Sequence, residues 1–307
     1  MTQDLLRIGT RGSPLALAQA HETRDRLREA TGLPEAAFEI VVIRVTGDVI
    51  QDRSLREAGG KGLFTKEIEE ALLSGEVDIA VHSMKDMPTE QPEGLALDCF
   101  LPREDTRDAF VTLTEHAGIA DLPEGATVGT SSLRRRAQLL ARRPDLKVVE
   151  FRGNVQTRLS KLSQGIAEAT FLAMAGLNRL GYAEVPARPI PPDAMLPAIA
   201  QGAIGIERRS ADDRVREMLA PIHHEPTGQR LAAERGFLRR LDGSCQTPIA
   251  GLAELDGDRL RLRGEILRPD GSRVLADDVT GAVAEGAEMG RAMAERLLGE
   301  AGPGFFG

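Results

Sequence analysis

Up to residue 173 the chain alternates short runs of apolar and β-branched residues with longer stretches in which apolar positions recur at helical spacing. That alternation predicts parallel strands joined by crossover helices. Residues 6–9 read as a strand, and Ser13-Pro14 supplies an N-cap and a first-turn proline for a helix ending near Gly32. A strand at 38–45 follows. After a charged, glycine-containing stretch at 47–62, a helix at 65–74 ends at Gly75 and feeds an apolar strand at 77–82. A second series begins near Arg107, with strands at 127–130, 147–151 and 170–173 and helices at 132–143 and 155–164. The pattern specifies two α/β domains.

The proline-rich stretch 186–197 is expected to break regular structure, and the apolar run 203–207 reads as a strand too isolated to found its own sheet. It should return to the first domain. From His223 the pattern becomes a helix, then antiparallel strands within 249–267 and 273–279, with turns at Asp256-Gly257 and Pro269-Asp270-Gly271. A closing helix spans 282–298, and neither a short-period repeat nor a low-complexity tail is present. The expected organisation is a first α/β domain at 1–104 with 202–222, a second at 105–201, and a small α+β domain at 223–307.

Composition narrows the function. A length of 307 residues exceeds what one core usually fills. No apolar run approaches the ~18 residues of a spanning helix, and the N-terminus lacks an apolar signal core, so a cytoplasmic protein with no membrane partner is expected. Two cysteines make no disulfide framework and have no metal-site spacing, which fits a reducing compartment. Cys99, within the apolar run 97–101, is assigned to the core. The net charge of −8 argues against nucleic acid as a partner, which would need a positive footprint. The cations are local, and so their ligand should be. His223-His224 are adjacent, would diverge on a strand or helix, and are assigned no metal.

In open parallel sheets, ligands bind beyond the carboxyl ends of the strands. Arg11 follows the first strand, Lys85 and Asp86 follow the strand at 77–82, Thr130 to Arg135 follow the strand at 127–130, and Arg152 follows that at 147–151. All are expected in one interdomain cleft. Arg134, Arg135 and Arg136 fall in a helix first turn, where each cation opposes the helix dipole by roughly 0.3–1 kcal/mol. Something anionic should compensate. With the hydroxyls of Thr130, Ser131 and Ser132 and free helix N–H groups, the segment reads as a carboxylate or phosphate cradle; the alternative is a solvated basic helix face. Lys85-Asp86 is either a structural salt bridge or a carboxylate stabilising a cation during reaction, and its place at a strand end favours the second. Cys245, on a turn after a helix, suggests a covalent anchor, although an incidental turn cysteine would look the same. The helix dipole would not activate its thiol there, so nearby cations or a reactive electrophile must.

Four motifs then point to a family. His82-Ser83-Met84-Lys85-Asp86-Met87-Pro88, Gly129-Thr130-Ser131-Ser132-Leu133-Arg134-Arg135, Arg152-Gly153-Asn154-Val155 with Thr157-Arg158-Leu159, and Glu234-Arg235 through Gly243-Ser244-Cys245-Gln246-Thr247-Pro248-Ile249 resemble, in order, those of the porphobilinogen deaminase (hydroxymethylbilane synthase) family. The resemblance runs from Leu6 to the closing helix. It implies two domains like those of periplasmic binding proteins, a third carrying the cysteine, and a monomer. It also implies condensation of four porphobilinogen molecules head to tail, with release of ammonia, into 1-hydroxymethylbilane for tetrapyrrole biosynthesis. The polypyrrole would grow on a dipyrromethane cofactor, joined by a thioether to Cys245.

Each pyrrole carries an acetate and a propionate, so the resemblance implies a polyanion in the cleft. By motif match, Arg11, Ser13, Lys85, Thr130, Ser132, Arg134, Arg135, Arg152 and Arg158 bind cofactor or substrate, and Arg179 in Gly176-Leu177-Asn178-Arg179 joins them. Bidentate guanidinium forks suit carboxylates, which rationalises arginine over lysine. Asp86 matches the catalytic aspartate, with electrostatic stabilisation of an azafulvenium cation as its main role and proton transfer as its second. The stretch 47–62, before Lys61-Gly62-Leu63-Phe64, resembles the family's mobile loop, and domain motion is the expected means of moving the growing chain. Three departures stand outside the predicted chemical core: Glu57 where some relatives have lysine, which weighs against loop contacts to anions, Glu168 where aspartate is frequent, and Gly12 in place of a larger polar residue.

Two other classes compete. A noncatalytic anion-binding protein of periplasmic-binding-protein fold would explain the arginines but neither Cys245 nor Asp86. Phosphoryl transfer on Gly129-Thr130-Ser131-Ser132 would require a Gly-Lys-[Ser/Thr] ending, where this chain has Ser132-Leu133-Arg134.

Overall fold

The computed structural model describes residues 5–46, 65–241 and 247–306. The expected loop at 47–62 and Cys245 both lie outside the described residues. The chain forms two compact units, Met1–Glu104 with Gly202–Gln229, and Asp105–Gln201 with Arg230–Gly307.

In the first unit, β1 (Leu6–Arg11), β2 (Phe38–Ile43), β3 (Ile79–Ser83), β4 (Leu95–Phe100) and β10 (Ile204–Arg209) form a sheet of order β2-β1-β3-β10-β4. β1 is parallel to β2 and β3, while β10 runs antiparallel to β3 and β4. The isolated strand read at 203–207 therefore does join the first sheet. Helix α1 (Pro14–Thr31) begins as its sequence dictates: the Ser13 hydroxyl accepts the Ala16 N–H, proline occupies the first turn, and Gly32 closes the helix at φ +69°. Helix α2 (Lys66–Ser74) ends at Gly75, also left-handed. Leu6, Ile8, Leu27, Ile79, Val81 and Ile206 form one core, while Ile68, Leu72, Val77, Ala80 and Leu95 form another. Both faces of the sheet are thus covered, which is why β3 reads as a continuous apolar run instead of alternating.

The second unit repeats the plan. β5 (Asp108–Thr112), β6 (Thr127–Gly129), β7 (Lys147–Val149), β8 (Ala169–Ala173) and β9 (Ala187–Pro189) form a sheet of order β7-β6-β8-β5-β9. β6 is parallel to β7 and β8, and β5 is antiparallel to β8 and β9. The crossovers are α3 (Leu133–Arg142) and α4 (Val155–Ser163), and a short α5 (Met174–Arg179) follows β8. One expectation is corrected here, because 186–197 was read as lacking regular structure, yet β9 lies within it. Pro189 is tolerated because β9 is an edge strand, where a missing N–H costs no ladder bond.

After α6 (Asp213–Leu219) and α7 (Glu225–Arg240), the strands β11 (Ile249–Asp256), β12 (Arg259–Leu267) and β13 (Val274–Ala282) make an antiparallel meander, followed by α8 (Gly286–Ala301). The turns fall where the sequence put them, with Gly257 at φ +59° and Gly271 at +75°. The architecture is α/β, with two doubly wound sheets and a small α+β portion at the C-terminal end. Among the described residues no helix is long and apolar enough to cross a membrane.

Candidate active site

In the first unit, parallel pairing of β1 with β3 puts their carboxyl ends on one edge. Arg11 ends β1, and Lys85 and Asp86 lie in the 3₁₀ turn Met84–Asp86 directly after β3. Arg11 Nη1 stands 3.9 Å from Asp86 Oδ2, and the Asp86 side chain is 36% exposed. Buried neighbours set the turn. Met84 and Met87 are both in the core, the Met84 N–H bonds the Ala203 carbonyl at 3.0 Å, and the Met87 N–H bonds the Met84 carbonyl at 3.2 Å. Lys85 and Asp86 project from between two buried methionines. Ser13 lies nearby in sequence as the α1 cap, its lone pair accepting from Ala16 at 3.2 Å.

Behind this edge sits a buried polar pair that sequence reading missed. His82 Nε2 lies 3.0 Å from Glu207 Oε2, across the β3–β10 pairing. Glu69 of α2 has its carboxyl raised above the ordinary range, first by burial and then by Glu207, with the Thr65 hydroxyl and His82 opposing. Glu207 carried no signal, because its run resembles any strand ending in charge.

In the second unit, β6 and β7 deliver the turn Thr130-Ser131-Ser132 and the segment Glu150-Phe151-Arg152 to one edge. The three hydroxyls tie the turn together. Thr130 Oγ1 accepts the Ser132 N–H at 3.2 Å, Ser131 Oγ accepts the Phe151 N–H at 3.0 Å, and Ser132 caps α3 by accepting the Arg135 N–H at 3.4 Å. Gly129 permits the approach: a Cβ there would overlap the Phe151 ring and lie 2.9 Å from Phe151 Cβ.

The anion called for by the arginines of α3 is in part a residue of the chain. Arg134 Nη1 bonds Asp108 Oδ2 at 2.5 Å, and Arg135 Nη2 bonds Asp108 Oδ1 at 2.7 Å. Arg134 also reaches Gln138 Oε1 and the Leu196 carbonyl, each at 3.1 Å, and Arg135 reaches the Phe171 carbonyl at 2.9 Å. Burial alone would raise the Asp108 carboxyl. Coulombic attraction to Arg134 and Arg135, with their hydrogen bonds, overrides burial and holds it well below the usual carboxylate range. Burial in turn lowers the Arg135 guanidinium, with Asp108 opposing. Asp108 was not among the expected site residues, since a strand-opening aspartate has no distinguishing pattern in sequence.

Arg158 is placed differently. Its Nε bonds the Gly153 carbonyl at 2.9 Å, and its Nη1 shares the Phe171 carbonyl with Arg135, at 3.2 Å. Burial and then the neighbouring Arg135 charge push it down to about 10. A cation held against a like charge favours an anionic ligand. Arg152 Nε lies 4.0 Å from Glu150 Oε2, and the Arg152 carbonyl accepts Lys161 Nζ at 2.9 Å. Asn154 caps α4 through the Thr157 N–H at 2.9 Å, and Arg179 ends α5. The sheet order thus brings Thr130, Ser132, Arg134, Arg135, Arg152 and Arg158 to one region of this unit. This concentration of guanidinium and hydroxyl groups fits a polycarboxylate group such as a dipyrromethane.

Cys99 is in the core as expected, and burial, reinforced by Asp98, pushes its thiol up to about 12. It is inert. His223 and His224 diverge, His223 Nε2 toward Glu225 at 3.2 Å and His224 Nδ1 toward Thr227 at 2.8 Å. No group of three or more His, Cys, Asp or Glu suited to a metal occurs among the described residues.

Fold and site features together define an α/β protein in which each unit gathers cationic groups at strand carboxyl ends, the first with an accessible aspartate at its edge and the second with the guanidinium and hydroxyl groups suited to a polycarboxylate. A family model described as "Porphobilinogen deaminase, dipyromethane cofactor binding domain" matches residues 6–217, and one described as "Porphobilinogen deaminase, C-terminal domain" matches 229–299. The chain belongs to the porphobilinogen deaminase family, whose members condense four porphobilinogen molecules into 1-hydroxymethylbilane on a dipyrromethane cofactor. The porphobilinogen deaminase of Paracoccus denitrificans (strain Pd 1222) is 67% identical over 304 residues, covering 99% of this chain and 97% of the relative. The chloroplastic porphobilinogen deaminase of Oryza sativa subsp. japonica is 55% identical over 307 residues, covering 98% and 86%. Among solved structures, the second substrate binding domain of a putative amino acid ABC transporter from Streptococcus pneumoniae is 14% identical over 70% of this chain and 90% of that one, with a TM-score of 0.45. Family membership supports the enzyme over the noncatalytic anion-binding alternative.

Proposed function

We propose that within this reaction Asp86 is the catalytic carboxylate, Cys245 carries the cofactor through a thioether, and Arg11, Ser13, Lys85, Thr130, Ser132, Arg134, Arg135, Arg152, Arg158 and Arg179 hold cofactor and substrate side chains. The observation that carries this reading is Asp86 itself, one-third exposed at a strand carboxyl end and 3.9 Å from Arg11. A solvent-accessible carboxylate steadied by a cation can face a developing positive charge without the full cost of burying its own.

The substrate aminomethyl group is an ammonium near neutral pH. When it departs as ammonia, the C–N bonding pair leaves with nitrogen and positive charge spreads over the pyrrole. Asp86 stabilises that charge, and again the charge that follows carbon–carbon bond formation, until the α-proton is lost. Proton acceptance by Asp86 is the secondary role. Arg11 keeps the carboxylate oriented, and Lys85 beside it offers a point charge to substrate carboxylates. In the second unit, Arg152 and Arg158 present the guanidinium forks, while Asp108 fixes Arg134 and Arg135. The bound dipyrromethane supplies covalent anchorage and the first nucleophilic α-carbon.

We further propose a cytoplasmic monomer with three domains, 1–104 with 202–222, 105–201, and 223–307.

The test is the intact mass of the purified protein under denaturing conditions, followed by peptide mapping. Two linked pyrrole units on the Cys245 peptide are expected, and Cys245→Ala should lack them. Retention of the added mass in Cys245→Ala would disprove the attachment site. Release of ammonia from porphobilinogen without added metal distinguishes the enzyme from an anion binder.

A further inference from the structure

Glu234, on α7, is fully buried, and each carboxylate oxygen accepts one backbone N–H, Oε2 from Ala200 at 2.7 Å and Oε1 from Ala253 at 2.8 Å. The Ala253 bond closes the outer edge of β11, beside the Gly251 N–H that bonds the Pro197 carbonyl at 3.0 Å. The Ala200 bond restrains an unfavourable backbone. Ala200 has φ +60°, and it is the one non-glycine residue with positive φ among the described residues. In that region the Cβ crowds the backbone, so the conformation persists only where the surroundings impose it.

The next residue is Gln201, almost completely buried, whose Nε2 donates to the Thr106 carbonyl at 2.8 Å and to Asp108 Oδ1 at 2.9 Å. Asp108 in turn orients Arg134 and Arg135. A continuous path of hydrogen bonds and one peptide link therefore joins Glu234 to the two arginines, all within the second unit.

We propose that Glu234 is a positioning residue for the arginine pair. By holding Ala200 left-handed it aims Gln201 at Asp108, and so fixes the guanidinium groups of Arg134 and Arg135 for pyrrole carboxylates. The proposal rests on the reading that these arginines hold cofactor and substrate. A carboxylate is required because the Ala200 and Ala253 N–H groups are both donors: an amide offers one acceptor and turns its NH₂ against the other N–H.

The experiment compares wild type, Glu234→Gln, and the double variant Glu234→Gln/Ala200→Gly, each prepared as apoprotein and incubated with porphobilinogen. Pyrrole uptake is followed by intact mass, alongside thermal melting, KM and kcat. Glu234→Gln is expected to take up the pyrroles about tenfold more slowly and to show a raised KM with kcat less affected. Glycine at 200 adopts φ +60° without the Cβ penalty, itself worth about tenfold in population, and should restore most of the uptake rate. General packing damage in α7 would not be rescued there. Wild-type uptake by Glu234→Gln overturns the proposal, as does slowed uptake that Ala200→Gly leaves unchanged. If Glu234→Gln does not fold, Gln201→Ala tests the next link; slowed uptake supports the path and wild-type uptake overturns it. A wild-type protein that never gains the pyrroles overturns the cofactor reading, and this proposal with it, which separates that failure from one confined to Glu234.

Discussion

Asp86 and Asp108 are the same functional group in opposite surroundings, and burial decides their uses. Asp108 is fully buried and spends both oxygens on guanidinium groups, whereas Asp86 keeps about one-third of its side chain in solvent beside Arg11. The first organises cations, and the second is available to a substrate. Asp86→Asn preserves shape while removing charge, so it should fold and melt like the wild type yet release ammonia from porphobilinogen about 10²–10³-fold more slowly, the usual cost of removing one such stabilising group. Normal release by this variant would sink the assignment. Both residues are visible in the sequence, but only Asp86 had a motif around it. Asp108 acquires its role from Arg134 and Arg135, 26 and 27 positions away.

At the scale of elements, the site is made of strand ends and the short turns after them. Turn hydroxyls that first read as ligand donors also close the backbone: Thr130, Ser131 and Ser132 each accept a backbone N–H. The close approach of Phe151 to Gly129 holds β6 and the segment bearing Arg152 together. Gly129→Ala should therefore overpack a rigid contact and destabilise the protein by roughly 1–3 kcal/mol. KM for porphobilinogen should rise as well, because Thr130 and Arg152 flank the contact; an unchanged denaturation midpoint and KM would contradict this account. The helices were legible because their signals are local, such as Ser13-Pro14 and Gly32 around α1. β9 was not, because Pro189 looks like a breaker until an edge position makes its missing N–H irrelevant.

For the whole molecule, net charge and local charge have different consequences. The chain is acidic at −8, yet the buried Arg134 and Arg135 share one carboxylate, that of Asp108. The folded-state pKa of Asp108 is depressed, so its ionic contribution is complete above the unfolded value of about 4 and is lost as pH falls through the folded value. Removing that charge with Asp108→Asn should destabilise by roughly 3–5 kcal/mol near neutral pH. The stability difference from wild type should stay level down to about pH 5 and shrink below about pH 4, measured by denaturation across pH. A difference that widened on acidification would contradict the cluster. The sequence by itself determined the α/β alternation, the turns, the core assignment of Cys99 and the family motifs, because periodicity, caps and motif spacing are local properties of the chain. Tertiary structure alone decided that Asp108 partners the arginines, that Glu207 sits against His82, and that Glu234 restrains Ala200. Each of these depends on residues distant in sequence becoming buried together, where an unpaired polar group costs most and its partner cannot be read from its neighbours.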